Sequence, residues 1–81
     1  STLVSRNVTV AGRRTSVRLE PAMWRALAEV CLREGCTIHD YVTEVDRTRS
    51  ASSLTAAIRV SLLQYFRTLA ARPEAAGEAE A

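Results

Sequence analysis

Hydrophobic and polar positions alternate most cleanly in the stretch Arg13-Arg14-Thr15-Ser16-Val17-Arg18-Leu19. A period of two predicts a β-strand, because strand side chains alternate between faces. One face carries Thr15, Val17 and Leu19. The other carries Arg14, Ser16 and Arg18, two guanidinium groups and a hydroxyl with no apolar group among them. Residues 1–12 precede this strand as an arm. Within the arm Val8-Thr9-Val10 alternates weakly, and Ala11-Gly12 suits a turn that needs positive φ. Two arrangements stay open: an extra strand over residues 6–11, folded back as a hairpin on 14–19, or a basic extension. A lone strand in an otherwise helical chain needs a partner, either this arm or the same strand of a second copy.

Three periods of helical type follow. Pro21 opens the first, since proline at the first helical position loses no hydrogen bond. Met23, Leu27, Val30 and Cys31 recur at i, i+4, i+7 and i+8 as one apolar stripe. Arg25, Glu29 and Arg33 lie opposite as charge pairs of i,i+4 spacing, and Gly35 is the expected stop. Trp24 is expected to pack near the start of this helix. Thr37 is the expected N-cap of the second helix, with Asp40 three residues on. Its stripe is Ile38, Tyr41, Val42 and Val45, and it fades through residues 46–49. Ser50-Ala51-Ser52-Ser53 is a loop ending in another cap. The third helix spans about Leu54 to Ala71, with Leu54, Ile58, Leu62, Tyr65, Phe66 and Leu69 as its main stripe. Val60 and Leu63 lie off that stripe, and so wide an apolar surface predicts burial on two sides, one against a partner. Pro73 ends this helix, and an acidic tail, expected to be disordered, covers 73–81. The expected organisation is therefore a basic arm (1–12), a folded domain (13–72) and the tail.

Eighty-one residues make one domain of modest core, which dimerisation would enlarge. The formal net charge of +2 conceals an asymmetry. All eleven basic residues are arginine; four of them (Arg6, Arg13, Arg14, Arg18) lie before residue 19, where no acid occurs. The tail holds Glu74, Glu78 and Glu80 and no base. A basic front and an acidic end suit a nucleic-acid binder. No segment resembles a membrane span or a secretory signal, so the expected compartment is the cytoplasm, with nucleoid association when bound to DNA.

Cys31, Cys36 and His39 form a C-x4-C-x2-H string whose spacing is unusual for zinc, and Cys31 sits on an apolar stripe. Neither metal nor cofactor is expected. His39 is expected on the surface, and Tyr41 and Tyr65 in packing roles. There is no glycine-rich phosphate loop and no nucleophile with an evident base, so an enzyme is not expected.

The order of strand, helix, Gly-x-Thr turn and helix over residues 13–48 resembles the ribbon-helix-helix family of DNA-binding proteins (the Arc/MetJ type). The resemblance rests on residues 14–19 as the ribbon, Pro21, and Gly35-Cys36-Thr37. Residues 13–20 with Trp24, together with Leu54-Thr55 and Arg59-Val60, are similar to a longer alphaproteobacterial subfamily with a third helix. The resemblance implies a mainly α, intertwined homodimer whose strands pair antiparallel between subunits and enter the DNA major groove. It implies base contacts from Arg14, Ser16 and Arg18. Phosphate contacts would come from the backbone at Thr37 and Ile38 and from the Thr37 hydroxyl, with Arg6 and Arg13 adding others from the arm. Thr15, Val17, Leu19, Leu27, Val42 and Val45 would form the dimer core. The implied function is sequence-specific DNA binding by a bacterial transcriptional regulator. The alternative is an interaction module or antitoxin that engages a protein partner through the third helix.

Overall fold

A computed structural model describes residues 2–72, and the tail expected at 73–81 lies outside the described residues. Two strands, β1 (Val4–Val10) and β2 (Arg13–Leu19), precede three helices, α1 (Pro21–Glu34), α2 (Ile38–Thr48) and α3 (Leu54–Ala71). The question left open by the sequence is resolved: β1 pairs antiparallel with β2 in a hairpin, with Val4 opposite Leu19 and Val10 opposite Arg13.

The turn is the two-residue link Ala11-Gly12, and both residues have positive φ, 51° and 84°. Two consecutive left-handed residues match the right-handed twist of the flanking strands, which is why such links favour Asn-Gly. Alanine in this conformation crowds its Cβ against the following carbonyl. Ala11→Asn is therefore expected to stabilise the fold by about 0.5–1 kcal/mol, part of the left-handed penalty of an ordinary side chain. The check is a higher urea midpoint at unchanged m-value.

The helix ends follow local chemistry. Glu20 accepts the first α1 hydrogen bonds through its carbonyl, from Met23 and Trp24 at 2.9 and 3.0 Å. Gly35 adopts φ 69°, and the Cys36 N–H returns to the Cys31 carbonyl at 3.0 Å, closing α1 in a Schellman motif. The Thr37 hydroxyl accepts from the Asp40 N–H at 3.0 Å, and the Ser53 hydroxyl accepts from the Ala56 N–H at 3.1 Å. These are the N-caps of α2 and α3.

The core gathers one face of the hairpin with all three helices: Val8, Val10, Val17, Leu19, Trp24, Leu27, Val30, Cys31, Val42, Val45, Ile58 and Leu62. At the start of α1 Trp24 packs as expected and is buried, whereas Met23, expected on the apolar stripe, is only half-buried. The Trp24 indole Nε1 donates to the Val4 carbonyl at 2.9 Å. The Arg6 guanidinium stacks over the same ring, 5.0 Å from its centroid. Glu20 and Arg59 join the start of α1 to α3, with Arg59 Nη2 3.0 Å from Glu20 Oε1. Backbone hydrogen bonding, followed by the Arg59 guanidinium, holds the Glu20 carboxyl below the usual carboxylate range.

On α3, Ile58 and Leu62 are buried, while Val60 and Leu63 are more than half exposed. The main stripe thus packs inward, and the off-stripe residues remain on the surface of this chain. Val17, Leu19, Leu27, Val42 and Val45 are enclosed by their own chain, and Thr15 is half-buried opposite Val8. Burial pushes the Cys31 thiol up to about 11, with a further contribution from its hydrogen bond to Cys36. Both cysteines are free. Among the described residues no group of three metal-ligating side chains occurs, and no helix is long and apolar enough to cross a membrane.

Candidate nucleic-acid interface

The register divides the hairpin into two faces. Val4, Arg6, Val8 and Val10 oppose Leu19, Val17, Thr15 and Arg13, and this is the face turned toward the helices. The other face is formed by the pairs Ser5–Arg18, Asn7–Ser16 and Thr9–Arg14, and all six residues are exposed. This outer face holds two guanidinium groups, three hydroxyls and one carboxamide. It carries no acid and no apolar side chain. The Ser5 and Ser16 hydroxyls lie 2.9 Å apart and bond to each other.

The expected base-contacting residues Arg14, Ser16 and Arg18 therefore share one exposed face. Arg6 and Arg13 do not join them: both stand on the helix side of the sheet by register, Arg6 over Trp24 and Arg13 beside the turn. Ser5, Asn7 and Thr9 belong to the face and were missed from the sequence. The signal for them was the run Ser5, Asn7, Thr9 at period two, obscured by Arg6, a charged residue at an inward position.

The two sheet edges are unlike. In a two-residue hairpin the residues flanking the turn bond to each other, so Thr9 directs its backbone away from β2. There α2 meets it. The Thr9 N–H donates to His39 Nδ1 at 2.9 Å, which requires that nitrogen to be unprotonated. Thr43, one helical turn on, accepts from the Ala11 N–H at 3.2 Å and donates to the Thr9 carbonyl at 3.5 Å. The β1 edge is thus covered at Thr9 and Ala11. By the same alternation Arg14, Ser16 and Arg18 turn their backbone groups away from β1. Among the described residues nothing pairs with that edge of β2. His39, expected only as a surface residue, proves to be an edge contact.

Thr37 and Ile38 lie at the start of α2. The Thr37 hydroxyl is engaged by the Asp40 N–H, whereas the Ile38 and His39 N–H groups occupy the first two helical positions, where no intrahelical acceptor exists. Such groups suit an anionic oxygen. Asp40 is exposed in this same turn and opposes an anion there.

The hairpin, with its basic outer face, thus packs on a pair of helices joined by a short turn. A family model described as "ribbon-helix-helix domain" matches residues 3–66, and the chain belongs to this family. The match begins before β1, so the first strand lies within the domain. Ribbon-helix-helix domains are in general DNA-binding transcription regulators or antitoxins; they are typically non-enzymatic and typically form homodimers. No curated protein and no solved structure matches the chain.

Proposed function

We propose that this protein is a homodimeric, sequence-specific DNA-binding regulator that presents the outer face of its sheet to the major groove. The observation carrying this reading is the coincidence, on Arg14, Ser16 and Arg18, of an outward polar side chain with an unpaired backbone edge. A second copy of β2 joined antiparallel at this edge brings two such rows together. Arginine bonds guanine O6 and N7 bidentately, and serine bonds several bases with less discrimination. The Ile38 N–H and its neighbours, with Thr37, take phosphate contacts at the start of α2, and Arg13, beside the turn, takes another, whereas Arg6 is held over Trp24 on the helix side of the sheet. Contacts of this kind position the protein without reading sequence.

The test is selection from random oligonucleotides followed by titration at several salt concentrations. The expected outcome is a short, near-palindromic site. Its log affinity should fall linearly with log salt, with slope about −0.9 per phosphate neutralised. A chain that enriches no site at low salt is not such a regulator.

A second reading has its own support. Val60 and Leu63 are exposed on α3, and a groove of about 620 Å³ between α2 and α3 is lined by Cys36, Tyr41, Ser61 and Tyr65 with Glu34 and Asp40. These features suit an interaction module or antitoxin that holds a protein through α3. Capture of a partner that is lost on Leu63→Asp, without a DNA shift, supports that reading over the first.

A further inference from the structure

Resting on the reading just given, we propose that β1 supplies the groove-wall contacts, with Asn7 and Thr9 donating hydrogen bonds to DNA phosphate oxygens. The width of the sheet makes the division of labour. Two copies joined at β2 place four strands in the order β1-β2-β2-β1. With strands about 4.8 Å apart, such a sheet is roughly 14 Å across before side chains are added. The major groove is about 12 Å wide. Only the central pair reaches the base edges, and each β1 lies over a wall of the groove, where the phosphates are.

The chemistry of β1 suits that place. Its outward residues are short, neutral and able to donate, the side-chain types that contact phosphate without a net charge. Among the described residues no group holds the Asn7 carboxamide or the Thr9 hydroxyl, so both remain available. Thr9 is also tied through its backbone to His39, the second residue of α2. The outer face of β1 and the exposed N–H groups of α2 therefore adjoin. From Arg14, Ser16 and Arg18, across β1, to the first turn of α2, the chain presents one surface that passes from base-contacting to phosphate-contacting groups.

The experiment places a negative charge on β1 and reads two quantities, affinity for the selected site and affinity for random DNA. Asn7→Asp and Thr9→Asp are expected to weaken both by at least about tenfold, through repulsion between like charges in contact. They should leave the base preference unchanged. Gln64→Glu on α3, of equal charge change but remote from the sheet face, is expected to stay within about twofold at physiological salt. Thr9→Ser, which keeps the donor, should bind as the parent does, and a parental urea midpoint for each Asp variant reports that its weakened binding is not misfolding. Asp variants that match Gln64→Glu overturn the inference. So does a variant that changes preference at one base pair while keeping its affinity for random DNA, since β1 would then read bases. In both cases a parent that still requires Arg14 and Arg18 leaves the wider reading standing. If the parent selects no site, both fall together.

Discussion

Replacing Arg14 and Arg18 together by alanine is expected to erase about 4–12 kcal/mol of discrimination between the selected site and random DNA, taking roughly 1–3 kcal/mol for each of four bidentate guanine contacts, two from each subunit of the proposed homodimer. The two residues stand four positions apart on one strand, about 13 Å at the usual rise. At that separation, without shared partners, their effects should add. Arg14 neighbours Thr9 across the sheet and Arg18 neighbours Ser5, so each guanidinium projects from its own part of the face. Both side chains are exposed, and truncation of such residues ordinarily changes stability by no more than about 0.5 kcal/mol. Affinity and specificity should therefore fall while the unfolding curve stays in place. Competition binding with single-base-pair variants of the site gives the check. Each single mutant should relax preference at a separate guanine, and a double mutant with parental specificity would remove β2 from the base-contacting role.

The second large effect concerns Trp24. Its ring is 4% exposed, its Nε1–H bonds the Val4 carbonyl, and the Arg6 guanidinium stacks on it. One side chain thus fastens the start of β1 to the start of α1. Trp24→Ala is expected to destabilise the chain by about 3–5 kcal/mol, from lost burial together with the cavity left behind. A domain of this size is stabilised by only roughly 4–12 kcal/mol in total, so much of the folded margin disappears. Trp24→Phe keeps most of the packing and loses the hydrogen bond, about 1 kcal/mol. Circular dichroism during urea titration should order the three proteins as parent, Phe and Ala. Hydrogen exchange should show β1 amides losing protection ahead of α2 amides in the Phe variant.

Trp24 also shows where the sequence stops being legible. Features set by neighbours in the chain were readable: Pro21, Gly35, Thr37 and Ser53 mark helix ends because capping is local. Alternation in β2 was readable because Val17 and Leu19 face the core and Arg14, Ser16 and Arg18 do not. β1 was harder for two physical reasons. Its turn places alanine where glycine or asparagine is usual, which hides the hairpin signal. Its inward row includes Arg6, tolerated there because the guanidinium sits over the Trp24 indole rather than entering the core. Trp24 shares a helical face with Leu27 and Cys31, but its indole N–H partner is Val4, 20 residues earlier, in a strand that helical spacing does not reveal. The candidate site followed the same division: the Arg14, Ser16, Arg18 row was visible, whereas Ser5, Asn7 and Thr9 became part of it only through the register.

The contacts from His39 and Thr43 to the outer side of β1 have a consequence for how far assembly can proceed. A sheet with two bare edges can add strands without end, which is the geometry of fibres. Here one edge is blocked at Thr9 and Ala11 by side chains of the same chain's second helix, which disfavours strand addition there relative to the open edge of β2. Two copies that meet there consume each other's bare edge, and the joint sheet presents a stopper at both ends. In the homodimer proposed above, the number of copies would follow from which side of the hairpin α2 occupies, and a chain without those two side chains would carry a latent route from a closed pair to an open polymer.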